Sequence, residues 1–244
     1  MSKRIAIISG ATKGLGRALA LDAAERDYHV IGIFRSDTSS AALLDKKFAD
    51  NGWSGQFICH DLTTSAPSLD LRDDAEILVV NNAISSFQPK PIHLLCQQEL
   101  LDLFNSAVIG AFHLSQAVIR RMVKAKSGTI INVLSGVVSE RPPKGFAAYA
   151  AAKFGLLGLT RAMAIEYEQH AIRVISVSPP FMNTPLTQSW GEHWQSIMQR
   201  EGARSPAEIA KKILELADGA STAESGHHYE LDQSPFDSLF KPLN

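Results

Sequence analysis

The stretch Arg4-Ile5-Ala6-Ile7-Ile8-Ser9-Gly10-Ala11-Thr12-Lys13-Gly14-Leu15-Gly16-Arg17-Ala18-Leu19 decides how this chain is read. An Ile-rich run of strand length, Ile5 to Ser9, passes through glycines at 10, 14 and 16, and a helical pattern from Leu15 to Arg26 opens at once. Three glycines so placed let the backbone turn tightly, approach a pyrophosphate closely and pack the helix against the strand. The helix N-terminus then offers free N–H groups and a partial positive charge to an anion. Taken alone, the same glycines would serve a plain turn. The strand before them and the helix after them are the context that a phosphate loop requires.

Outward from this unit the pattern repeats. Apolar, Ile- and Val-rich runs at Ile5 to Ser9, His29 to Phe34, Gln56 to His60, Ile77 to Asn81, Thr129 to Leu134, Ile172 to Val177 and His228 to Leu231 read as strands covered on both faces. Helical periodicity occupies Leu15 to Arg26, Ala41 to Asp50, Gln98 to Lys124, Ala148 to Glu168 and Pro206 to Leu216. Strand and helix alternating in this way require right-handed crossovers and a parallel sheet. The expected architecture is therefore α/β: a doubly wound Rossmann fold, its mostly parallel seven-stranded sheet flanked by helices, in a single domain over residues 1–244. The short crossover between Asp61 and Ile77 leaves room for a helix of about two turns, with Pro67 near its start. Residues 181–203, which carry Pro185, Trp190, Gly191 and Trp194, are long for a connection and read as a substrate lid. A tail at 233–244 carries Phe236, Leu239 and Phe240 beyond the last strand.

Composition narrows the function classes. The 244 residues hold 24 Lys and Arg against 25 Asp and Glu, a net charge of -1, so there is no general attraction to nucleic acid or anionic lipid. No apolar run approaches the roughly 18–20 residues of a membrane span. The N-terminus enters a strand directly, without a signal-peptide pattern. The two cysteines, Cys59 and Cys96, fit neither a disulfide framework nor a zinc site and are expected to be buried hydrophobes in a reduced, cytoplasmic protein. The eight His residues show no metal-ligand spacing, and no metal is expected.

The end of the second strand bears on the choice of dinucleotide. An acidic residue there would take a ribose 2'-hydroxyl, whereas Arg suits a 2'-phosphate. The chain has Phe34-Arg35-Ser36, and Lys13 lies within the glycine loop, so the reading is NADP(H). Arg35 taken alone would equally be a solvated surface charge, and Asp37 keeps the preference from being absolute.

Tyr149-Ala150-Ala151-Ala152-Lys153 opens a helical segment and places phenol and ammonium on one face, four residues apart. A cation beside a phenol favours its ionised form, so the pair is expected to bring a proton donor and acceptor closer to neutrality. The preceding strand ends Asn132-Val133-Leu134-Ser135-Gly136, so that a hydroxyl could meet the phenol at the carboxyl edge of the sheet, where ligands bind.

Together these residues resemble the short-chain dehydrogenase/reductase family along nearly the whole chain. Asp61 after the third strand, Asn81-Asn82-Ala83 after the fourth and Pro179 to Thr184 after the sixth follow the family's order. The resemblance implies that Tyr149 is the general acid of carbonyl reduction, that Ser135 holds the carbonyl oxygen, and that Lys153 lowers the Tyr149 pKa and binds the nicotinamide ribose. It implies a cofactor held by Gly10, Thr12, Lys13, Gly14, Leu15 and Gly16 of the loop, and by Arg35 and Ser36 after the second strand. Asp61 and Leu62 would lie at the adenine, Asn82 with Ala83 near the ribose, and Pro179 and Thr184 near the nicotinamide.

Several positions depart from the family pattern. Ile84 stands where Gly is usual, Pro179-Pro180 where Pro-Gly is usual, and Ala107 where many members carry a relay Asn. Asn105 is not an evident substitute for that Asn, and Ser139 is a second candidate for the hydroxyl role.

Phe112 to Val118, with Tyr149 to Lys153 and Gly155 to Gly158, looks most like 3-oxoacyl-[acyl-carrier-protein] reductases. On that resemblance Arg120, Arg121, Lys124 and Lys126 would meet an acidic carrier near the site mouth, although they could equally complement a helix C-terminus. A carrier-bound β-ketoacyl thioester, a free ketone or secondary-metabolite intermediate, and a non-catalytic NADP(H)-binding sensor are the readings carried forward. The family's habit implies a homo-oligomer, a tetramer or dimer, paired through the two long helices.

Overall fold

The computed structural model describes residues 4–138, 142–218 and 223–231; Ser139 and the tail at 233–244 lie outside them. The chain alternates strand and helix as its periodicities require. The first half runs β1 (Arg4–Ser9), α1 (Gly14–Glu25), β2 (His29–Phe34), α2 (Thr38–Asp50), β3 (Gly55–Cys59) and β4 (Glu76–Asn81). A long helix follows in three parts: α3 (Gln97–Phe104), a π turn (Asn105–Ile109) and α4 (Gly110–Ala125). Then come β5 (Gly128–Val133), α5 (Ala147–Glu166), β6 (Ile172–Ser178), α6 (Pro185–Gln188), α7 (Glu192–Glu201), α8 (Pro206–Ala217) and β7 (His228–Glu230). The seven strands lie in the order β3-β2-β1-β4-β5-β6-β7. All six pairings are parallel. The strand order reverses between β1 and β4, which opens a crevice at their carboxyl ends.

Strand alternation divides the core into two layers. Ala6 and Ile8 of β1 and Leu78 and Val80 of β4 face one layer with α1 and α8. Ile5, Ile7, Ile77 and Val79 face the other, against Leu114, Val118 and Met122 of α4. Neighbouring residues of one strand are thus buried on opposite faces, which is why these strands read as unbroken apolar runs rather than alternating ones. Burying side chains the size of Ile7 and Ile8 contributes about 1.5–3 kcal/mol each.

Two expectations fail here. Residues 61–75 form no helix. The Asp61 carboxylate instead accepts bonds from the Thr63 backbone N–H at 2.9 Å and the Thr63 hydroxyl at 2.8 Å, while the Thr64 hydroxyl donates to the Asp61 carbonyl. Such local side-chain bonds compete with helix formation. Leu69 and Leu71, two residues apart, then drop into the core as an extended segment would place them. The cysteines are exposed rather than buried: Cys59 ends β3, an edge strand, and Cys96 precedes α3. The segment 181–203 is not a plain loop but carries α6 and α7. Among the described residues no helix is long and apolar enough to cross a membrane.

Candidate active site

A cavity of about 470 Å³ runs along the carboxyl edge of the sheet from the glycine loop to Trp190. At one end β1 passes into the loop. Gly10 adopts φ +67°, and its N–H donates to the Ile33 carbonyl at 2.8 Å, tying the loop to β2. The Ser9 hydroxyl accepts from the backbone N–H groups of Asn82 and Ala83, and the Asn82 amide donates to the Ser9 carbonyl, so the ends of β1 and β4 are locked together. Gly16 does not line the cavity. A Cβ there would lie 2.1 Å from the Gly10 carbonyl oxygen, so this glycine exists for the close packing of helix on loop.

The donors at this end fit a dinucleotide phosphate. No side chain caps the N-terminus of α1 and no acidic residue sits in its first turn, which leaves its N–H groups and partial positive charge to an anion. Gly10, Thr12, Lys13, Gly14, Leu15, Arg35, Ser36, Asp61, Leu62, Asn82 and Ala83 all line the cavity. The cations here have carboxylate neighbours. Lys13 pairs with Asp37 at 2.7 Å, and with Ser39 and Ser40 it holds the Asp37 carboxyl far below its usual pKa. Burial pushes the Asp61 carboxyl up, but bonds from Thr63 and the charges of Arg35 and His60 outweigh it and leave the pKa lowered.

Ser135, Tyr149 and Lys153 come together at the other part of the cavity, with Pro179, Pro180 and Thr184 beside them. Ser135 follows β5, while Tyr149 and Lys153 lie in the first two turns of α5. The Ser135 side chain lies close enough to the phenol to lower its pKa. The Lys153 Nζ donates to the Val133 carbonyl at 2.7 Å and stands 5.7 Å from the centre of the Tyr149 ring.

The electrostatics correct the sequence expectation. Burial pushes the Tyr149 phenol up to about 12, against a smaller lowering by Ser135. Burial likewise brings Lys153 down to about 7. Their residual exposures are 7% and 2%, so desolvation disfavours the charged form of each. In this state the ammonium does not lower the phenol; the phenol stays a protonated donor at neutral pH.

The family departures find local accommodations. Ala107 is buried in the π turn among apolar groups. Asn105 does not line the cavity, whereas Ser106 does, its hydroxyl accepting from the Ser85 N–H at 2.9 Å and donating to the Asp102 carbonyl. Ile84 is half-buried at the cavity wall and is not among the non-glycine residues with positive φ, so the missing glycine costs no backbone strain.

Other lining residues lie outside the motifs legible in the sequence: Ser85, Ser106 and Phe146. Phe146 was within reach of a spacing argument, because it sits three residues before Tyr149 at the start of α5. The basic cluster is not at this mouth. Arg120, Arg121, Lys124 and Lys126 end α4 just before β5 starts, while Ser135 follows the other end of β5, about 20 Å away along the strand. Lys124 pairs there with Asp73 at 2.5 Å.

The family model of short chain dehydrogenases matches residues 4–195. A 3-oxoacyl-[acyl-carrier-protein] reductase of Vibrio cholerae is 32% identical over 222 residues, 88% of this chain and 89% of the relative. A short chain dehydrogenase/reductase of Aspergillus oryzae is 30% identical over 245 residues, with 94% and 93% covered. The crystal structure of acetoin dehydrogenase from Enterobacter cloacae is similar with a TM-score of 0.80 at 28% identity, covering 99% of each chain. On the family match, these identities and the shared fold, the chain belongs to the short-chain dehydrogenase/reductase family, oxidoreductases that act on CH–OH and C=O groups with a nicotinamide cofactor.

Proposed function

We propose that this protein reduces a ketone to a secondary alcohol with NADPH. The observation that carries the reading is the convergence of Ser135, Tyr149 and Lys153 on one cavity with the uncapped helix N-terminus, Lys13 of the glycine loop and Arg35 after β2. Gly10, Thr12, Lys13, Gly14 and Leu15 would hold the cofactor in that groove, and its chemistry there would be hydride donation to a carbonyl carbon. Ser135 then holds the carbonyl oxygen, and the Tyr149 phenol, protonated at neutral pH, gives it a proton. Lys153, with a pKa near 7, is poised to return a proton to the phenolate. Lys13, Arg35 and Ser36 at the end of the groove support NADP(H) over NAD(H), with the Asp37 partner of Lys13 moderating the preference.

Replacing Tyr149 by Phe tests the assignment. Turnover should fall by at least about a hundredfold while NADPH affinity, read by nucleotide fluorescence, changes little. An active Phe variant would overturn the role of the phenol.

The names of the relatives support a carrier-bound β-ketoacyl thioester as the first substrate to assay. Comparing carrier-bound with free thioester measures whether the cluster from Arg120 to Lys126 has a docking role; equal kcat/KM for the two would deny it. Exposed Phe104, Phe112, Phe154 and Ile165 on the long helices support self-association, which light scattering would reveal and a monomer would refute. Two exposed, unpaired thiols suit a reducing cytoplasm, and fractionation of cells would test that location.

A further inference from the structure

The reacting phenol is set in an aromatic wall. Phe87, in the loop after β4, stacks on the Tyr149 ring with centres 4.5 Å apart and planes at 15°. Phe146 meets the Tyr149 ring edge-on at 6.1 Å and 74°, and the Phe87 ring edge-on at 5.5 Å and 81°, so the three rings brace one another. Trp190 and Trp194 pack edge-on against Phe146 in turn, at 5.3 Å and 4.7 Å. Tyr149 lines the cavity and Phe87 does not. Phe87 therefore acts on the site through the ring it stacks on.

The loop that carries Phe87 is tied on three sides. The Ser85 N–H donates to the Ser106 hydroxyl at 2.9 Å, the Gln88 amide to the Ser189 carbonyl at 2.5 Å, and the Lys90 N–H to the Gly145 carbonyl at 3.0 Å. Gly145 has φ +87°, and a Cβ there would lie 3.0 Å from the Lys90 nitrogen, so a glycine lets the loop come this close to the start of α5. Bonds to the π turn, the lid and the approach to α5 thus fix the backbone around Phe87 against the helix that carries Tyr149.

We propose that Phe87 is a positioning residue for the reaction: its ring fixes the plane of the Tyr149 phenol and shuts water out from one face of it. The proposal rests on the reductase reading above and adds a residue to it. A phenol ring turns about two torsions, and a rotation carries its hydroxyl away from Ser135 and from the carbonyl oxygen; a stacked partner removes that freedom. Misplacing a reacting group by about 1 Å costs on the order of a hundredfold in rate. Phe87 is half-buried while Tyr149 is 7% exposed, so Phe87 stands between the phenol and solvent. The polar groups facing the phenol are Ser135 from the end of β5 and Lys153 from its own helix. Ala107 of the π turn, Phe146 and Trp190, which cluster with it, carry no charge. Removing Phe87 therefore changes the hydration of the phenol and leaves its charged neighbour in place, and with less desolvation the phenol ionises at lower pH.

The kinetic test follows NADPH oxidation with the N-acetylcysteamine thioester of acetoacetate for the wild type, Phe87→Leu and Phe87→Tyr. Leu keeps an apolar side chain without a flat face, and Tyr restores the ring. Phe87→Leu should lower kcat by about tenfold or more with KM and NADPH affinity within about threefold, and Phe87→Tyr should recover at least about half of the wild-type kcat. Retained NADPH affinity shows that each variant is folded. Wild-type kcat in Phe87→Leu would overturn the proposal, as would equal losses in the Leu and Tyr variants. The second arm needs no turnover. Tyrosinate absorbance is followed over about pH 8 to 10.5 for the wild type and Phe87→Ala, and the titrations of the same proteins carrying Tyr149→Phe are subtracted to isolate the phenol. Tyr149 should begin to ionise within that range in Phe87→Ala, whereas in the wild type, with the phenol held near 12, it should not. Identical titrations would overturn the shielding role. No NADPH consumption by the wild type would count against the reductase reading and leave the titration to decide for or against Phe87.

Discussion

Replacing Lys153 by Met should stabilise the folded protein at neutral pH while removing its activity. Lys153 is 2% exposed, and burial lowers its pKa from 10.5 to about 7. At about 1.36 kcal/mol per pKa unit, carrying the protonated side chain into the fold costs roughly 5 kcal/mol. The sign follows from proton counts. Between pH 7 and 10.5 the unfolded chain holds a proton on this group that the folded chain has released, so stability rises with pH across that window and levels off on either side. The cost is therefore about 5 kcal/mol at pH 6 and about 2 kcal/mol at pH 9. Met fills similar space without charge but leaves the Val133 carbonyl without its 2.7 Å donor, an offsetting loss of about 1 kcal/mol. The variant should thus be more stable by about 4 kcal/mol at pH 6 and by about 1 kcal/mol at pH 9. Urea unfolding of both proteins at pH 6, 7, 8 and 9 measures the difference, and groups that titrate alike in both proteins cancel from it. A difference that stays constant with pH, or a variant that is less stable throughout, would refute the reasoning.

Two other substitutions probe the cofactor groove. Arg35→Asp places a carboxylate where a 2'-phosphate is expected and should move the ratio of kcat/KM for NADPH over NADH by at least about tenfold toward NADH; an unchanged ratio denies Arg35 that contact. Gly16→Ala puts a methyl group 2.1 Å from the Gly10 carbonyl oxygen and 2.7 Å from the Asn82 amide nitrogen. Relief of that overlap should cost about 1–3 kcal/mol of stability and loosen dinucleotide binding. Calorimetric affinity and a melting temperature both equal to those of the parent would show that the loop tolerates a side chain.

Local patterns gave the fold and most of the candidate site. Ile5 to Ser9, Gly10 to Gly16 and the helix behind them form an unbroken unit in sequence, and nearest-neighbour sterics suffice to read it. Tyr149 and Lys153 share a helix, so their common face follows from helical geometry alone. Residues 61–75 are not legible locally, since Pro67 and a modest length suggest a short helix, whereas the hydrogen bonds of Asp61, Thr63 and Thr64 and the burial of Leu69 and Leu71 settle an extended path.

The amino-acid sequence by itself determined the order of strands and helices, the glycine turn at a helix start and the set of groups available for proton and phosphate contacts, because each of these depends on residues a few positions apart. Only the tertiary structure decided how those groups behave. Desolvation is a property of the whole fold, so the direction in which Tyr149 and Lys153 shift came from the packing around them and ran opposite to the expectation for an exposed pair. Position relative to the sheet edges likewise separated the Arg120 to Lys126 cluster from the site. It also brought Phe87, Phe146, Phe181, Trp190 and Trp194 into one wall, since residues more than a hundred positions apart become neighbours only when parallel strands deliver their loops to the same edge.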